Sequence, residues 1–377
     1  MPAHGRLDAR AFLSGLADAA AGRTPAVAIP PSIDPLSLTL WLRHARLSAA
    51  AYPLARESGH EELAGRLRID ALAAAAANLV RFRALQTIED DFSRWGVPVV
   101  LLKGAAVAGA AYDDVAWRPM ADLDLWVRDD DMPVAVSRVE ALGYRRLPEV
   151  PGRPAELQRR SGGEVVFAGP ARTGLLELHY SAFQGWWIRR TGDPDVGGAW
   201  ERAVPAGEGR HARRLAPEDA VLQTAFHVIV NQFGQAPLRG LLDIAVMARR
   251  LPVDWSAVVA RARSWRLATA AGLVLASADA LFDLGEAGPA VRALAPRGAR
   301  RALLRRFVTL ESLLKGRDLT RSHARHAFLL ALVDRPRDVC RLIGRTLWPE
   351  PWWRAARYGR PVGPAAHLWS MARRGSV

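Results

Sequence analysis

Two aspartates, Asp122 and Asp124, are separated by a single leucine in the apolar segment Met120–Val127. Side chains alternate between the two faces of a strand, so both carboxylates would project from the same face. Carboxylates a few Å apart repel each other and raise a pKa unless a cation lies between them. Mg²⁺ prefers hard oxygen ligands and accepts mixed shells of carboxylate and phosphate oxygens. The spacing therefore predicts a magnesium site on this strand.

A second apolar run ends in Lys103-Gly104, eighteen residues before Asp122. A glycine allows close approach of the backbone to a phosphate, and the helix predicted over Gly104–Tyr112 would offer its free N–H groups. Lys103 is one of only two lysines among the 52 basic residues, and a compact ammonium suits a point contact with phosphate. The pattern predicts a phosphate-binding turn, although chance placement of the lysine is an open alternative.

The two motifs together resemble those of the bacterial uncharacterised nucleotidyltransferase family, within the DNA polymerase β-like superfamily. The resemblance rests on Leu102-Lys103-Gly104, on Arg118 and on Asp122-Leu123-Asp124-Leu125. The superfamily carries a third acidic residue on a short apolar strand, and Leu175–His179 with Glu177 at its centre fits that place. The similarity spans roughly residues 40–285, with its specific part between residues 99 and 127.

The resemblance implies transfer of a nucleoside monophosphate from an NTP to an acceptor hydroxyl, with Mg²⁺ as cofactor. It assigns catalysis and metal binding to three carboxylates, Asp122, Asp124 and Glu177. It assigns nucleotide binding to Lys103, Gly104 and Arg118. The sequence departs from the superfamily because Ala105 follows Gly104, where a serine or glycine is usual, so Lys103 or Arg118 must neutralise the phosphate instead.

Some side chains near these motifs leave alternatives open. Gln223, His227 and Asn231 lie four apart on a predicted helix and form a polar stripe. Either this stripe lines a cleft, where it would touch the base or the acceptor, or it is a solvated helix face. Glu164 and Glu156 compete with Glu177 for the place of the third carboxylate. We interpret His179 as structural rather than a metal ligand, and Asp243 as a buried structural acid.

Composition limits the remaining function classes. The net charge of +14 favours a polyanionic partner such as tRNA, but nearly all cations are arginines, so compositional bias explains the charge equally well. A single cysteine, Cys340, excludes an intramolecular disulfide and a site with several thiolates. The polar N-terminus predicts no signal peptide, and the absence of an apolar run of about 18 residues predicts no membrane span, so we expect a soluble cytoplasmic protein.

Periodicity predicts an α+β fold with a minimal polymerase-β-like nucleotidyltransferase core, a small mixed sheet with helices, flanked by N-terminal helices and a C-terminal helical domain. We expect a loose arm over residues 1–30 and helices over Pro35–Tyr52 and Glu61–Trp95. The predicted divisions are an N-terminal arm and helices (1–95), the catalytic core (96–215), a helical domain (216–347) and a basic Trp-rich tail (348–377).

The sequence thus predicts a magnesium-dependent nucleotidyltransferase. The acceptor is left open among a small molecule or peptide natural product, a protein and tRNA, and neither the oligomeric state nor the NTP is predicted. The alternative is a catalytically silent helical binding protein that retains the nucleotidyltransferase core as a scaffold.

Overall fold

The computed structural model describes residues 8–149, 154–170, 172–233, 237–315 and 322–374. Helices make up most of this part of the chain. They are α1 (Ala9–Ala20), α2 (Pro35–His44), α3 (Ser48–Glu57), α4 (Glu61–Arg94), α5 (Lys103–Ala111), α6 (Met132–Ala141), α7 (Ala155–Ser161), α8 (Trp186–Thr191), α9 (Val196–Glu201), α10 (Pro217–His227), α11 (Pro237–Arg250), α12 (Trp255–Ser264), α13 (Ala268–Phe282), α14 (Gly288–Leu294), α15 (Gly298–Leu304), α16 (Leu310–Lys315), α17 (Ser322–Ala331), α18 (Pro336–Leu347), α19 (Pro351–Tyr358) and α20 (Pro364–Arg374).

Short strands between these helices form one mixed sheet. They are β1 (Val100–Leu102), β2 (Asp122–Trp126), β3 (Arg145–Arg146), β4 (Glu164–Ala168), β5 (Leu175–His179), β6 (Val204–Pro205) and β7 (Arg213–Arg214). Their order in space is β3-β4-β5-β2-β1-β7-β6. Strand β2 pairs antiparallel with β1 and parallel with β5, which places the two aspartates at the middle of the sheet. The predicted α+β class is confirmed.

The register of β2 decides which side chains share a face. Asp124 is opposite Leu102 on β1 and Glu177 on β5, and Trp126 is opposite His179. Because side chains alternate along a strand, Asp122, Asp124 and Glu177 occupy the same face. The other face of β2 carries apolar residues only, as its sequence predicts.

Two apolar cores cover the two faces of the sheet. The rear core joins the second half of α4 and helix α6 to the apolar face and includes Leu85, Ile88, Phe92, Leu123, Leu125 and Val139. The main core packs the carboxylate face of the sheet against helices from both ends of the chain and includes Phe12, Leu102, Trp126, Phe226, Leu275 and Leu342. Removing this much apolar surface from water stabilises the fold and fixes the sheet between helical layers.

The predicted loose arm is wrong for the part of residues 1–30 that forms α1; residues 1–7 lie outside the described residues. The Asp8 carboxylate caps α1 by accepting hydrogen bonds from the backbone N–H groups of Arg10 and Ala11. Phe12, Leu13 and neighbouring apolar residues of the helix are buried in the main core. The alanine- and glycine-rich composition obscured this apolar stripe.

Other boundaries also differ from the sequence-based prediction. The helix expected over Pro35–Tyr52 is divided into α2 and α3, because Arg46 adopts a left-handed backbone with φ 59° that a continuous helix does not allow. The helix Glu61–Trp95 was predicted within one residue. Among the described residues, no helix has both the length and the hydropathy needed to cross a bilayer.

Candidate active site

The turn after β1 places an ammonium group above the sheet. Lys103 begins α5 with φ 46°, a left-handed conformation that is uncommon for a residue with a side chain. Such conformations cost of order 1–3 kcal/mol and concentrate at functional sites. Here the turn brings the Lys103 ammonium to the carboxylate face of β2, between β1 and the start of the helix.

Asp124 is the most deeply buried of the three predicted carboxylates, with 2 % exposure. Its Oδ1 accepts hydrogen bonds from Lys103 Nζ at 2.6 Å and from His179 Nε2 at 2.8 Å. Burial alone would raise the pKa of Asp124, but the Lys103 charge and the His179 hydrogen bond outweigh it and hold the pKa well below the usual value. Asp124 is therefore an anion at neutral pH.

Glu177 and Asp122 lie near this ion pair, and their pKa values are raised, whereas that of Asp124 is lowered. The Glu177 Oε2 lies 3.8 Å from Lys103 Nζ and 3.5 Å from His179 Nε2. Burial and the nearby Asp124 carboxylate raise the pKa of Glu177 to about 8. The same two causes raise the pKa of Asp122, which accepts no side-chain hydrogen bond from the described residues. The site thus brings three acidic side chains to a single lysine.

His179 completes this group of side chains. It is fully buried, and burial lowers its pKa, so the ring is neutral; we assign its proton to Nε2 because that atom faces a carboxylate. Its Nδ1 has no hydrogen-bond partner among the described residues. One ligand atom each from Asp124, Glu177 and His179 lie within 4.8 Å of one another, a spacing that could hold a metal ion. The structural role predicted for His179 is therefore not the only one that its position allows.

Arg118 is paired with a buried carboxylate, whereas its predicted role is a contact with phosphate. Its guanidinium pairs with Asp243 through Nε–Oδ1 at 3.0 Å and Nη2–Oδ2 at 2.8 Å, and both side chains are buried. The Tyr112 hydroxyl donates to the same carboxylate at 2.8 Å. Asp243 is thus a buried acid, as predicted, whereas phosphate binding by Arg118 stays a prediction.

Gly104 is buried at the start of α5. A Cβ at this position would lie 3.2 Å from Met120 Cγ and 3.3 Å from Arg118 Nη1, so a side chain would press on the residues that lead into β2. Close packing is therefore one reason for a glycine at this position. Its contact with phosphate stays a prediction.

A cleft beside the carboxylates is lined by helix α10. We call it the site cleft; it is open to solvent, and its lining includes Lys103, Gln184, Gln223, Phe226, His227 and Asn231. The polar stripe predicted on α10 therefore faces the cleft, and the chain continues there into a π-helical turn over Val228–Gln232, a feature frequent at functional sites.

The site cleft presents neutral polar groups rather than carboxylates. Burial and the Lys103 charge lower the pKa of His227 to about 3, so its ring is neutral and its Nδ1 accepts from Asn231 Nδ2 at 3.1 Å. The Nε2 atoms of Gln184 and Gln223 are buried without a partner among the described residues. These groups could bind uncharged parts of a base or an acceptor.

Sequence reasoning missed three side chains around the site. Asn78 on α4 donates to the backbone oxygens of Val115 and Arg118 at 2.7 and 2.9 Å and so fixes the loop that leads to β2. The sequence signal for this role was an asparagine that follows the alanine-rich segment of α4. Gln184 and Arg239 had no signal, because only the tertiary fold brings them to the site.

The chain is similar to a family of known proteins and, more distantly, to solved structures. The family model described as "Uncharacterised nucleotidyltransferase" matches residues 31–283, which is more than half of the chain. No curated protein matches significantly. Among solved structures, the antibiotic-resistance factor ANT(2'')-Ia is similar at 16 % identity and a TM-score of 0.32, over 44 % of this chain and 82 % of that one.

Proposed function

Because the chain belongs to the uncharacterised nucleotidyltransferase family, we propose that it transfers a nucleoside monophosphate from an NTP to an acceptor hydroxyl in a magnesium-dependent reaction. The observation that supports this proposal is the position of Asp122, Asp124 and Glu177 on one face of the sheet. The Lys103 ammonium lies on that face, 2.6 Å from Asp124 and 3.8 Å from Glu177. Such a face suits the two charged partners of the reaction, a divalent cation and a triphosphate.

The donor set fits a magnesium ion. Asp122, Asp124 and Glu177 offer the oxygen ligands that Mg²⁺ prefers. Burial, and then the Asp124 charge, raise the pKa values of Asp122 and Glu177, and a bound cation would oppose both effects. These three residues would hold the ion, with the imidazole of His179 fixing Asp124. When bound, a divalent cation would stabilise charge on the attacking and leaving oxygens and favour the ionised carboxylates.

The transfer requires a base and a group that orients the donor. An oxygen of the acceptor hydroxyl forms a bond to the α-phosphorus while the bond between that phosphorus and the β-phosphate oxygen breaks, and pyrophosphate leaves with the electron pair. We assign the hydroxyl proton to a Glu177 oxygen, since an ionised carboxylate beside the acceptor can act as a general base. We assign to Lys103 the neutralisation of phosphate oxygens once a cation shares the carboxylates with it.

The acceptor is the open part of this proposal. A basic chain suits tRNA, while the neutral polar lining of the site cleft suits a small molecule, a peptide natural product or a protein side chain equally. Retention of tRNA that falls steeply with salt would support a nucleic-acid acceptor, because phosphate contacts are lost as salt rises.

A second candidate, a catalytically silent scaffold, is favoured by one observation. The Lys103 ammonium already lies 2.6 Å from Asp124, where it neutralises the carboxylate that a metal ion would need. In a silent protein this ion pair would be permanent, and neither Mg²⁺ nor nucleotide would displace it.

A thermal-shift assay separates the two candidates. The protein is heated with each of the four NTPs, with and without MgCl₂, and the enzyme hypothesis expects a rise in melting temperature that needs both. Asp122→Asn and Asp124→Asn should abolish the rise, whereas Asp130→Asn, on an exposed turn, should keep it. No rise with any nucleotide would favour the scaffold. Incubation with α-labelled NTPs and a cell extract then identifies the acceptor by the fraction that takes up label.

A further inference from the structure

The wall of the site cleft contains a buried amide that the protein itself does not satisfy. Gln223 on α10 lines the cleft and is only 4 % exposed. Its Nε2 is buried and has no hydrogen-bond partner among the described residues. Buried polar groups in folded proteins are almost always paired, because an unpaired one loses its hydrogen bonds to water. The partner of this amide therefore comes from outside the described chain, as solvent or as a ligand.

A second amide without a partner faces the same cleft. Gln184, in the connection between β5 and α8, is also part of the lining, and its buried Nε2 has no partner among the described residues. His227 lies one turn after Gln223, and its Nδ1 accepts from Asn231 Nδ2, so its proton is on Nε2. Two amides from separate elements and one imidazole N–H thus contribute hydrogen-bonding groups to one cleft.

The cleft has no free charge to offer a ligand. Lys103 is the one charged side chain in the described lining, and its ammonium lies 2.6 Å from Asp124 and 3.8 Å from Glu177, which are not part of the lining. These carboxylates already neutralise it. A charged ligand group would lose its hydration here without gaining a free partner of opposite charge. The rest of the lining is apolar and consists of Ala182, Phe183, Ile188, Phe226 and Val230.

The cleft adjoins the strand that carries Glu177. Strand β5 ends at His179, and residues 182–184 follow directly and form one wall of the cleft. The backbone N–H of Phe183 donates to Ser181 Oγ at 3.1 Å, and the Phe183 ring packs edge-on against Phe226 of α10, with 6.2 Å between the ring centroids. These contacts fix the wall relative to the end of β5. A group held in the cleft therefore lies on the side of the residue to which we assign the hydroxyl proton.

We propose that the site cleft binds the acceptor through an uncharged hydrogen-bonding group, which Gln184 and Gln223 select. The inference rests on the proposed nucleotidyl transfer and names the chemical class of its acceptor. An amide both donates and accepts hydrogen bonds, so it pairs with a hydroxyl or with another amide. An ammonium group finds no carboxylate in the described lining, and an anion finds the charge of Lys103 already taken. The acceptor is on this basis a neutral hydroxyl- or amide-bearing molecule with an apolar part.

Nuclear magnetic resonance with three small probes tests the class of ligand without knowledge of the acceptor. Butyramide, butylammonium and butyrate share one carbon chain and differ in the charge of the polar end. In protein labelled with ¹⁵N-glutamine, the side-chain signals of Gln184 and Gln223 are identified by their loss in Gln184→Met and Gln223→Met. Butyramide should shift both signals saturably and bind roughly tenfold or more tightly than either charged probe. Equal or tighter binding of a charged probe, or no saturable shift with butyramide, overturns the inference.

The same two variants distinguish an acceptor cleft from a base cleft. Each should weaken butyramide binding and leave the affinity for Mg²⁺ with NTP unchanged by isothermal titration. Gln86→Met, at an exposed position of α4, is the control and should change neither affinity. A loss of NTP affinity in Gln184→Met and Gln223→Met that differs among the four NTPs would mean that the cleft binds the base, and it would overturn the inference.

The melting temperature gives an independent readout for Gln223. Replacing a buried amide that has no partner by an apolar side chain of similar length should leave the melting temperature unchanged or raise it. A fall of several degrees would mean that the amide has a structural partner, which would overturn its assignment to a ligand. If Gln223→Met does not fold, Gln184→Met, at a half-buried position, decides the binding test.

The outcomes separate this inference from the proposed function. NTP binding without butyramide binding overturns the inference and still supports the transferase. Butyramide binding without binding of any NTP overturns the transferase and leaves the cleft as a site for a neutral ligand.

Discussion

The buried ion pair between Arg118 and Asp243 offers the sharpest test of how the site is built. Asp243→Asn keeps the size of the side chain and an acceptor for the Tyr112 hydroxyl, but it removes the negative charge. Arg118 and Asp243 are only 6 % and 3 % exposed, so the Arg118 guanidinium would remain in the interior without compensation.

The expected cost follows from that geometry. Three hydrogen bonds converge on the Asp243 carboxylate, two from Arg118 and one from Tyr112. Removing one partner of a buried pair typically costs about 3–5 kcal/mol, because the remaining charge has no favourable surroundings. For a chain of 377 residues we expect a fall in melting temperature of roughly 4–6 °C.

Urea unfolding at pH 7 measures the free-energy change, and a double variant gives the control. Arg118→Met with Asp243→Leu replaces the pair by apolar side chains and should recover most of the lost stability. A change of less than about 1 kcal/mol in Asp243→Asn would refute the reasoning, since it would mean that water or a rearrangement neutralises Arg118.

The same double variant decides the role of Arg118. If the side chain only positions the loop before β2, a folded double variant keeps its NTP affinity. If NTP affinity is lost while stability is recovered, the sequence-based assignment of Arg118 to phosphate binding is correct.

Three further predictions follow from other contacts. Lys103→Met removes the cation that competes for the central carboxylates, so Mg²⁺ without nucleotide should bind at least about tenfold more tightly by isothermal titration; weaker binding would contradict the ion-pair argument. Arg138→Gln breaks a two-point ion pair with Asp91 and should lower the stability measured by urea unfolding at pH 7. The hydrogen bond from Arg138 lowers the pKa of Asp91 from 3.8, so this stabilisation is present above that pH and is lost as the pH falls through the lowered pKa; the difference between the two proteins should shrink on acidification. Trp187→Ala empties a site that is 1 % exposed and removes a hydrogen bond to the Leu329 oxygen, so we expect a loss of about 3–5 kcal/mol; a loss under 1 kcal/mol would mean that the core refills the space.

The centre of the sheet was accessible to sequence reasoning because its patterns are local. The alternation of Asp122 and Asp124 with leucines specifies a strand with one polar face, and the strand formed with that polarity. Glu177 could be proposed only through a family resemblance, since local spacing did not distinguish it from Glu164. The register places Glu177 beside Asp124, while Glu164 pairs with His179 at the end of β4.

The parts that sequence reasoning missed depend on contacts between distant segments. Arg118 has an ordinary sequence environment, and its partner Asp243 is 125 residues away. The sequence predicts that Lys103 contacts phosphate, but its pairing with Asp124 depends on the left-handed turn that no local pattern predicted. The catalytic roles of all these residues stay predictions.

The carboxylate face of the sheet also carries Leu102 and Trp126, which belong to the main core. That core reaches from Phe12 in α1 to Leu342 in α18 and includes Phe226, which lines the site cleft, so one wall of the cleft is continuous with the scaffold of the whole chain. A hinge motion that opened the site cleft wide would expose this apolar interior to solvent, which costs free energy. If the chain binds substrates there, we expect them to enter without such a motion.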